Sequence, residues 1–190
     1  MKKSSAGKKA FPLSEVYRLL EPGPVVLLTT VRAGRPNAMP MSWHLMMEFT
    51  PPLVGCVVSN GNYSFATLQQ TRECVINLPT VELAKTVVAC GNVSGGTLDK
   101  FVEFGLTAVA AKWVKAPLIA QCYASLECRV VDTKLVTKYN FFILEVVQAW
   151  IDPARKNPRT IHHQGEGKFM LPGRILNLPS PKTLLGRKVK

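Results

Sequence analysis

The stretch Ile119-Ala-Gln-Cys-Tyr-Ala-Ser-Leu-Glu-Cys-Arg-Val130 decides the fold class. Ala120, Cys122, Ala124, Leu126, Cys128 and Val130 share one parity, and Gln121, Tyr123, Ser125, Glu127 and Arg129 share the other. Successive side chains of a strand point to opposite faces, so this alternation predicts a half-buried antiparallel strand with one wet face. Just downstream, Asn140 to Ile151 is apolar on both parities around Glu145 and Gln148. A strand covered on both faces belongs either deep in a core or in a subunit interface.

Upstream, Val25 to Val31 reads as a buried strand, Ala33-Gly-Arg-Pro36 as a turn, and Asn37 to Met47 as the extended partner of a hairpin. Pro51-Pro52 breaks the chain before an apolar strand from Leu53 to Ser59. Gly61-Asn62 is a turn, and Tyr63 to Thr71 predicts a short helix with Phe65 and Leu68 on one side. Glu73-Cys-Val-Ile-Asn-Leu78 alternates and stops at Pro79. Thr80 is placed to cap a helix running to Cys90, with Glu82 favourable near its start. A further short helix is expected from Leu13, Val16, Tyr17 and Leu20, ended by Pro22-Gly23-Pro24. Strands dominate and no β-α-β alternation occurs. The reading is a mainly β chain, an antiparallel barrel with short helical insertions. Residues 1–11 form a disordered basic tail, 12–151 the domain, and 152–190 an extended arm and basic tail rich in Pro, Gly, Arg and Lys.

The 190 residues are 47% apolar and 19% charged, which suits one domain with a core and excludes general disorder. No apolar run approaches the ~18 residues of a membrane-spanning helix. The basic start has no apolar segment behind it, so it is not read as a secretory signal, and the cytoplasm is the expected compartment. The net charge of +12 raises the question of nucleic acid. Its placement argues against that: residues 11–180 carry 16 basic and 12 acidic groups, and the excess lies largely in the ends. Cys56, Cys74, Cys90, Cys122 and Cys128 form no C-x-x-C pair and read as buried thiols, although only coordinates can show whether two of them meet.

Motifs of hydrolases, zinc proteases and phosphate loops are absent. Gly91-Asn-Val-Ser-Gly-Gly96 follows a helix rather than opening one, so it is read as a loop. His162 and His163 are adjacent and would point opposite ways on an extended segment, a poor metal pair. A polar cluster in the first half is more informative. Thr29 and Thr30 end an apolar strand, and Asn37, Ser42, Trp43 and His44 lie on its hairpin partner. Ser59, Asn60 and Asn62 follow the next strand, and Ser64 and Thr67 stand in the first turn of the helix after it, where they are expected on the surface. Hydroxyls and free N–H groups at a helix start can hold a phosphate, or can simply cap the helix.

The order Asn37-Ala-Met-Pro-Met-Ser-Trp43, Pro51-Pro-Leu-Val-Gly-Cys-Val-Val-Ser59, Tyr63-Ser-Phe-Ala-Thr67 and Cys74-Val-Ile-Asn-Leu-Pro79 resembles the flavin reductase-like, FMN-binding split-barrel family. Ser94-Gly-Gly-Thr-Leu-Asp-Lys-Phe-Val-Glu-Phe-Gly-Leu106 resembles its flavoredoxin branch. The resemblance covers roughly residues 12–150. It implies a Greek-key split barrel that dimerises and holds FMN near the subunit interface. It also implies that Asn37, Ala38, Met39, Ser42 and Trp43 line the isoalloxazine, with Thr29 and Thr30 nearby. Ser59, Ser64 and Thr67 would hold the phosphate, and Lys100 would add positive charge. His44 stands where the family has a small residue, often glycine, and is expected to shape the flavin face or to exclude a bulky partner. The tail from Thr160 to Gly173 departs from the family pattern.

No acid–base dyad is needed if the flavin carries the chemistry. The expected activity is electron transfer through FMN, either as an NAD(P)H-dependent flavin reductase or as a flavoredoxin-like carrier fed by another protein. Phe141, Phe142, Ile143 and Leu144 are the expected dimer contact. The alternative is a basic nucleic-acid-binding barrel, for which Lys112-Trp-Val-Lys115 is the best candidate segment.

Overall fold

In the computed structural model, residues 23–174 are described. The helix expected over Leu13 to Leu20, the basic tail and the end of the arm lie outside them. The main sheet has seven strands: β1 (Val26–Arg32), β2 (Arg35–Met41), β3 (His44–Phe49), β4 (Pro52–Val57), β5 (Glu73–Leu78), β8 (Ala124–Asp132) and β9 (Phe141–Ile151). Short pairs form β6 (Ala108–Val109) with β7 (Leu118–Ile119), and β10 (His162–His163) with β11 (Phe169–Met170). The helices are α1 (Tyr63–Thr71), α2 (Ala84–Asn92), α3 (Lys100–Glu103) and α4 (Val136–Tyr139).

Every ladder of the main sheet is antiparallel, and the order is β2-β1-β5-β8-β9-β4-β3. The two outermost strands, β2 and β3, are separated in sequence only by Ser42 and Trp43. The sheet must therefore curl until its edges meet, which makes a barrel split between β2 and β3. Ala33 and Gly34 at the β1–β2 turn have φ of 51° and 76°, the backbone of a tight hairpin whose twist matches its strands. Leu28, Met41, Cys56, Ile76, Cys128 and Phe142 fill the interior. The α1 helix closes one mouth, with Phe65 edge-on to Phe142 at 5.5 Å between ring centres. A second cluster, including Leu27, Val87, Cys90, Phe101 and Ile161, packs α2, α3 and the arm on the outside of β1 and β2.

Several expectations are corrected. The strand signal over Ile119 to Val130 overruns a turn: the Cys122 N–H donates to the Ile119 carbonyl at 3.0 Å, and β8 begins at Ala124. Its second face is wet only in part: Arg129 is exposed, but the middle of the face is covered. Ser125 and Glu127 are buried, because the segment carrying Val114 and Ala116 packs over that wall against Val75. In β9, Phe142 and Leu144 are wholly buried in the chain's own barrel, so they are unavailable as a dimer contact, while Phe141 and Ile143 are half-buried. Thr80 does not cap through its side chain. Its hydroxyl donates to the Glu82 carboxylate, and a single 3-10 turn (Val81–Leu83) precedes α2.

All five cysteines are free and buried. Burial pushes the Cys56 and Cys122 thiols up to about 12, which keeps them protonated and unreactive. The segment after β9 docks on the chain itself. The Val25 N–H donates to the Ile161 carbonyl and the Val81 N–H to the Arg159 carbonyl, both at 2.8 Å, and Ile161 is buried.

Candidate functional site

Two cavities adjoin at one end of the barrel and share Pro40, Gly91 and Asn92 in their walls. The first, of about 340 Å³, is polar. Asn37 and Met39 of β2 form one side, the start of α1 (Asn62, Tyr63, Ser64) another, and the end of α2 with the loop Val93 to Gly95 a third. The second, of about 440 Å³, is largely apolar and is lined by Val25, Met41, Trp43, Val87, His163 and Phe169 among others. The site falls here for a topological reason. β2 is a sheet edge, so one side of its backbone lacks a strand partner, and α1 aims the N–H groups of its first turn at the same place.

Lys100 enters the polar cavity from α3. Asp99 caps that helix, accepting from the N–H groups of Phe101 at 3.0 Å and Val102 at 3.3 Å. This turns Lys100 inward, where it is 3% exposed. Its Nζ donates to the Ala38 carbonyl at 3.0 Å and the Cys90 carbonyl at 2.6 Å. An ammonium has three protons, so one is left for the cavity. Burial pulls the Lys100 pKa below its ordinary value, because the charge is desolvated.

Asn37 sits opposite Thr30 on the β1–β2 ladder. Its Nδ2 donates to Ser64 Oγ at 2.9 Å. Asn37 Oδ1 and Thr30 Oγ1 are both buried without a hydrogen-bond partner. The first turn of α1 takes no side-chain cap from Asn62. Unpaired buried polar atoms are uncommon and call for an explanation, a missing ligand among them.

The sequence-expected residues divide between this place and others. Asn37, Met39, Ser64 and Lys100 line the polar cavity, and Ser42 and Trp43 the apolar one. Trp43 is 56% exposed, so it is no core aromatic. The Ala38 side chain belongs to the outer cluster, and only its carbonyl reaches Lys100. Thr29 turns the other way and donates to the Pro117 carbonyl at 2.6 Å. Ser59 is exposed and accepts from the Gly61 N–H at 3.3 Å, outside both linings. Ser64 and Thr67 are buried, against their expected surface position, and Thr67 donates to the Tyr63 carbonyl at 3.4 Å. His44 lines neither cavity: its Nε2 donates to the Pro24 carbonyl at 2.7 Å, tying β3 to the chain ahead of β1.

The backbone N–H groups of Lys112 and Trp113 are spent on Glu127, which fixes that segment as a cover for the barrel wall. Among the described residues, no group of three or more His, Cys, Asp or Glu could hold a metal. The sequence reading missed the Cys90-to-Gly95 wall. Its signal was Gly91-Asn-Val-Ser-Gly-Gly96, glycines that let a loop come close to its neighbours.

Fold and site together define a split-barrel protein with a cleft that is polar and cationic at one end and apolar at the other. Residues 18–169 match the model of the family described as flavin reductase like domain, and the chain belongs to that family. It is 32% identical to YddH of Escherichia coli, itself uncharacterized, over 85% of this chain and 93% of that one. An FMN-binding domain of a flavin reductases-like enzyme from Shewanella baltica superposes with a TM-score of 0.76 at 27% identity, covering 90% of this chain and 97% of that one. Flavoredoxin of Desulfovibrio vulgaris superposes with a TM-score of 0.77 over 94% of this chain and 97% of its own, and at 22% identity it speaks for the fold alone.

Proposed function

We propose that this chain binds FMN across the two adjoining cavities and passes electrons through it. The observation that carries the reading is the division of the cleft. The ring system is apolar and planar and suits the half walled by Val25, Val87 and Trp43, while the phosphate and ribityl hydroxyls suit the half holding Lys100, Ser64 and the start of α1. The residues present fit such a group. A buried cation, a buried serine hydroxyl, an uncapped helix start and the unpaired Asn37 Oδ1 are the donors and acceptors that a phosphorylated polyol needs. Bound FMN would supply the redox chemistry. The protein's own residues orient it, neutralise its phosphate and keep water from one end of the cleft.

The donor we favour is NAD(P)H, which makes the protein a flavin reductase; a flavoredoxin-like carrier reduced by another protein is the competing form. An absorption spectrum after reconstitution with FMN, then oxidation of NADPH or NADH in the presence of excess free flavin, tests both steps. A protein that takes up FMN but oxidises neither nucleotide would be a carrier. A protein that stays colourless with FMN refutes the reading. His163, Gly167 and Phe169 border the apolar cavity from the arm of the same chain, which supports a role for the β10–β11 hairpin at the flavin edge. Truncation at Pro153 would also strip Ile161 from the core, so His163→Ala is the cleaner probe of donor turnover.

We also propose a homodimer. The exposed residues Leu45 (52%), Met46 (54%) and Met47 (43%) are consecutive on the edge strand β3, and the Met47 sulfur lies near Gly55 beside the Phe141 ring. A bare apolar edge is an aggregation hazard unless something covers it. The contact is therefore redrawn to β3 with Phe141 and Ile143. Light scattering checks it, with a monomer mass as the contrary result. Among the described residues no helix is long and apolar enough to cross a membrane. The five free thiols support a reducing compartment such as the cytoplasm.

A further inference from the structure

One hydrogen bond at the split of the barrel plays no part in the flavin reading. The edges β2 and β3 share no ladder, so the Ser42-Trp43 link between them needs other supports. The Val57 N–H donates to the Trp43 carbonyl and the His44 N–H to the Ser42 carbonyl, both at 3.0 Å. The His44 ring adds a tie of longer range, from Nε2 to the Pro24 carbonyl at 2.7 Å. Pro24 in turn bridges to His162, and the Val25 N–H donates to the Ile161 carbonyl at 2.8 Å. The His44 bond therefore joins two parts of the wall of the apolar cavity. Ser42 and Trp43 belong to one, and Val25 with His163, Gly167 and Phe169 to the other. Trp43 is 56% exposed and, among the described residues, its indole has no hydrogen-bond partner, so its position comes from the main chain that carries it.

From this geometry we infer that His44 is a positioning residue: its bond to Pro24 fixes Trp43 relative to the β10–β11 hairpin and so sets the spacing of the walls that receive an aromatic ring. The inference rests on the flavin reading for the identity of that ring. It goes further by assigning part of the ring's affinity to a side chain that lines neither cavity. The bond lies at the apolar cavity, so its loss acts on the isoalloxazine and leaves the phosphate end alone. His44 acts through Trp43, so a chain without the indole gains nothing from it. Glutamine supplies an amide N–H donor in place of the ring N–H, and alanine supplies none.

The test compares the affinities of lumiflavin, which is the ring system without the ribityl phosphate, and of FMN, by quenching of flavin fluorescence. The proteins are the wild type, His44→Ala, His44→Gln, Trp43→Ala and the double variant of Trp43→Ala with His44→Ala. Loss of one neutral hydrogen bond should weaken lumiflavin and FMN by the same factor in His44→Ala, roughly 3- to 10-fold. His44→Gln should stay within about 2-fold of the wild type. The double variant should lose no more than Trp43→Ala alone. In the flavin-free protein, the anisotropy of Trp43 emission, taken as the difference from matched Trp43→Phe proteins, should fall in His44→Ala and recover in His44→Gln. Thermal melting identifies any variant that does not fold. If His44→Ala is one, His44→Phe, which keeps a ring on the strand but no donor, takes its place in every comparison. Unchanged lumiflavin affinity in His44→Ala, a loss confined to FMN, no recovery in His44→Gln, or losses additive with Trp43→Ala would each overturn the inference while leaving FMN binding in place. A wild-type chain that binds FMN but not lumiflavin also overturns it. One that binds neither overturns the flavin reading as well.

Discussion

Glu127 and Lys100 are both charged residues buried in a small barrel, and their surroundings treat them in opposite ways. Glu127 is wholly buried on the β8 wall, where it accepts from the Lys112 N–H at 3.0 Å, the Trp113 N–H at 2.6 Å and Trp150 Nε1 at 2.7 Å. Burial opposes its charge, but these donors outweigh burial and hold the carboxyl below its ordinary value. Lys100 has two carbonyls and a spare proton, burial lowers its pKa, and two unpaired polar atoms lie on the strands beside it. The saturated charge fastens a loop to the barrel. The unsaturated one keeps a proton for the cavity, which supports the phosphate reading proposed above.

The comparison breaks most visibly at Glu127. Replacing it with Ala strands the donors that now converge on it, each at a cost of about 1–3 kcal/mol, so unfolding free energy should drop by roughly 3–5 kcal/mol. Urea titration measures this. The flavin affinity of the folded fraction should stay as it was, since Glu127 lines neither cavity. A stability loss below about 1 kcal/mol would mean that water replaces the carboxylate and the wall is not the structural charge described here.

Lys100→Met should do the reverse. Loss of a charge-assisted bond to phosphate weakens FMN by ~1.5–3 kcal/mol, roughly 10- to 150-fold. Stability should move by about 1 kcal/mol or less, because the desolvation penalty of the buried ammonium disappears with its two bonds. Calorimetric titration beside a thermal melt separates the two quantities. Equal FMN affinity in the variant would return Lys100 to a purely structural role.

These two residues also show how far the sequence could be read. The β5, α1 and β9 elements follow from period, length and turn residues, and the barrel follows from their order. Alternation across Ala124 to Val130 correctly marks a strand, but it assigns Glu127 to water. The error has a physical source. Parity tells which residues share a face, and only tertiary structure tells that a distant segment, Lys112 to Ala116, covers that face. Lys100 is the converse case: as a side chain in isolation it reads as solvated, and only the capped turn at Asp99 sends it inward. Ser42, Trp43 and Ser64 lie on contiguous motifs and are grouped by the resemblance as they are by the cavities, whereas Asn37 and Met39, grouped by the resemblance with the ring residues, line the polar cavity beside Ser64. The Cys90-to-Gly95 wall was not legible, since a glycine loop carries no chemistry until something is seen packed against it.

The pH dependence sharpens the contrast by a smaller amount. Glu127 has a folded pKa below its unfolded value, so its contribution to stability is complete above the unfolded carboxyl value of about 4.3 and is lost as pH falls through the folded one. The urea midpoint of the wild type should therefore decline in acid over that range, and the decline should be shallower in Glu127→Gln. An identical acid slope in both proteins would assign the acid sensitivity to other carboxylates.

The smallest effect is expected at Ser59, and it matters because the family resemblance places this residue with Ser64 on the phosphate. The structure separates them. Ser64 is 1% exposed and lines the cavity, whereas Ser59 is exposed and its Oγ accepts the Gly61 N–H at 3.3 Å. Its backbone carbonyl accepts the Asn62 N–H at 2.9 Å, so the residue shapes the turn into α1 chiefly through its main chain. That main-chain bond survives substitution by Ala, and the freed Gly61 N–H is exposed enough to bond water. Ser59→Ala should therefore change FMN affinity and stability by about 0.5 kcal/mol or less. Ser64→Ala, measured in the same titration, should cost FMN roughly 10-fold. If the two serines prove equal, the turn at Gly61 must rearrange when FMN binds, bringing Ser59 into the polar cavity, and the phosphate would then be held by the loop as well as by the helix.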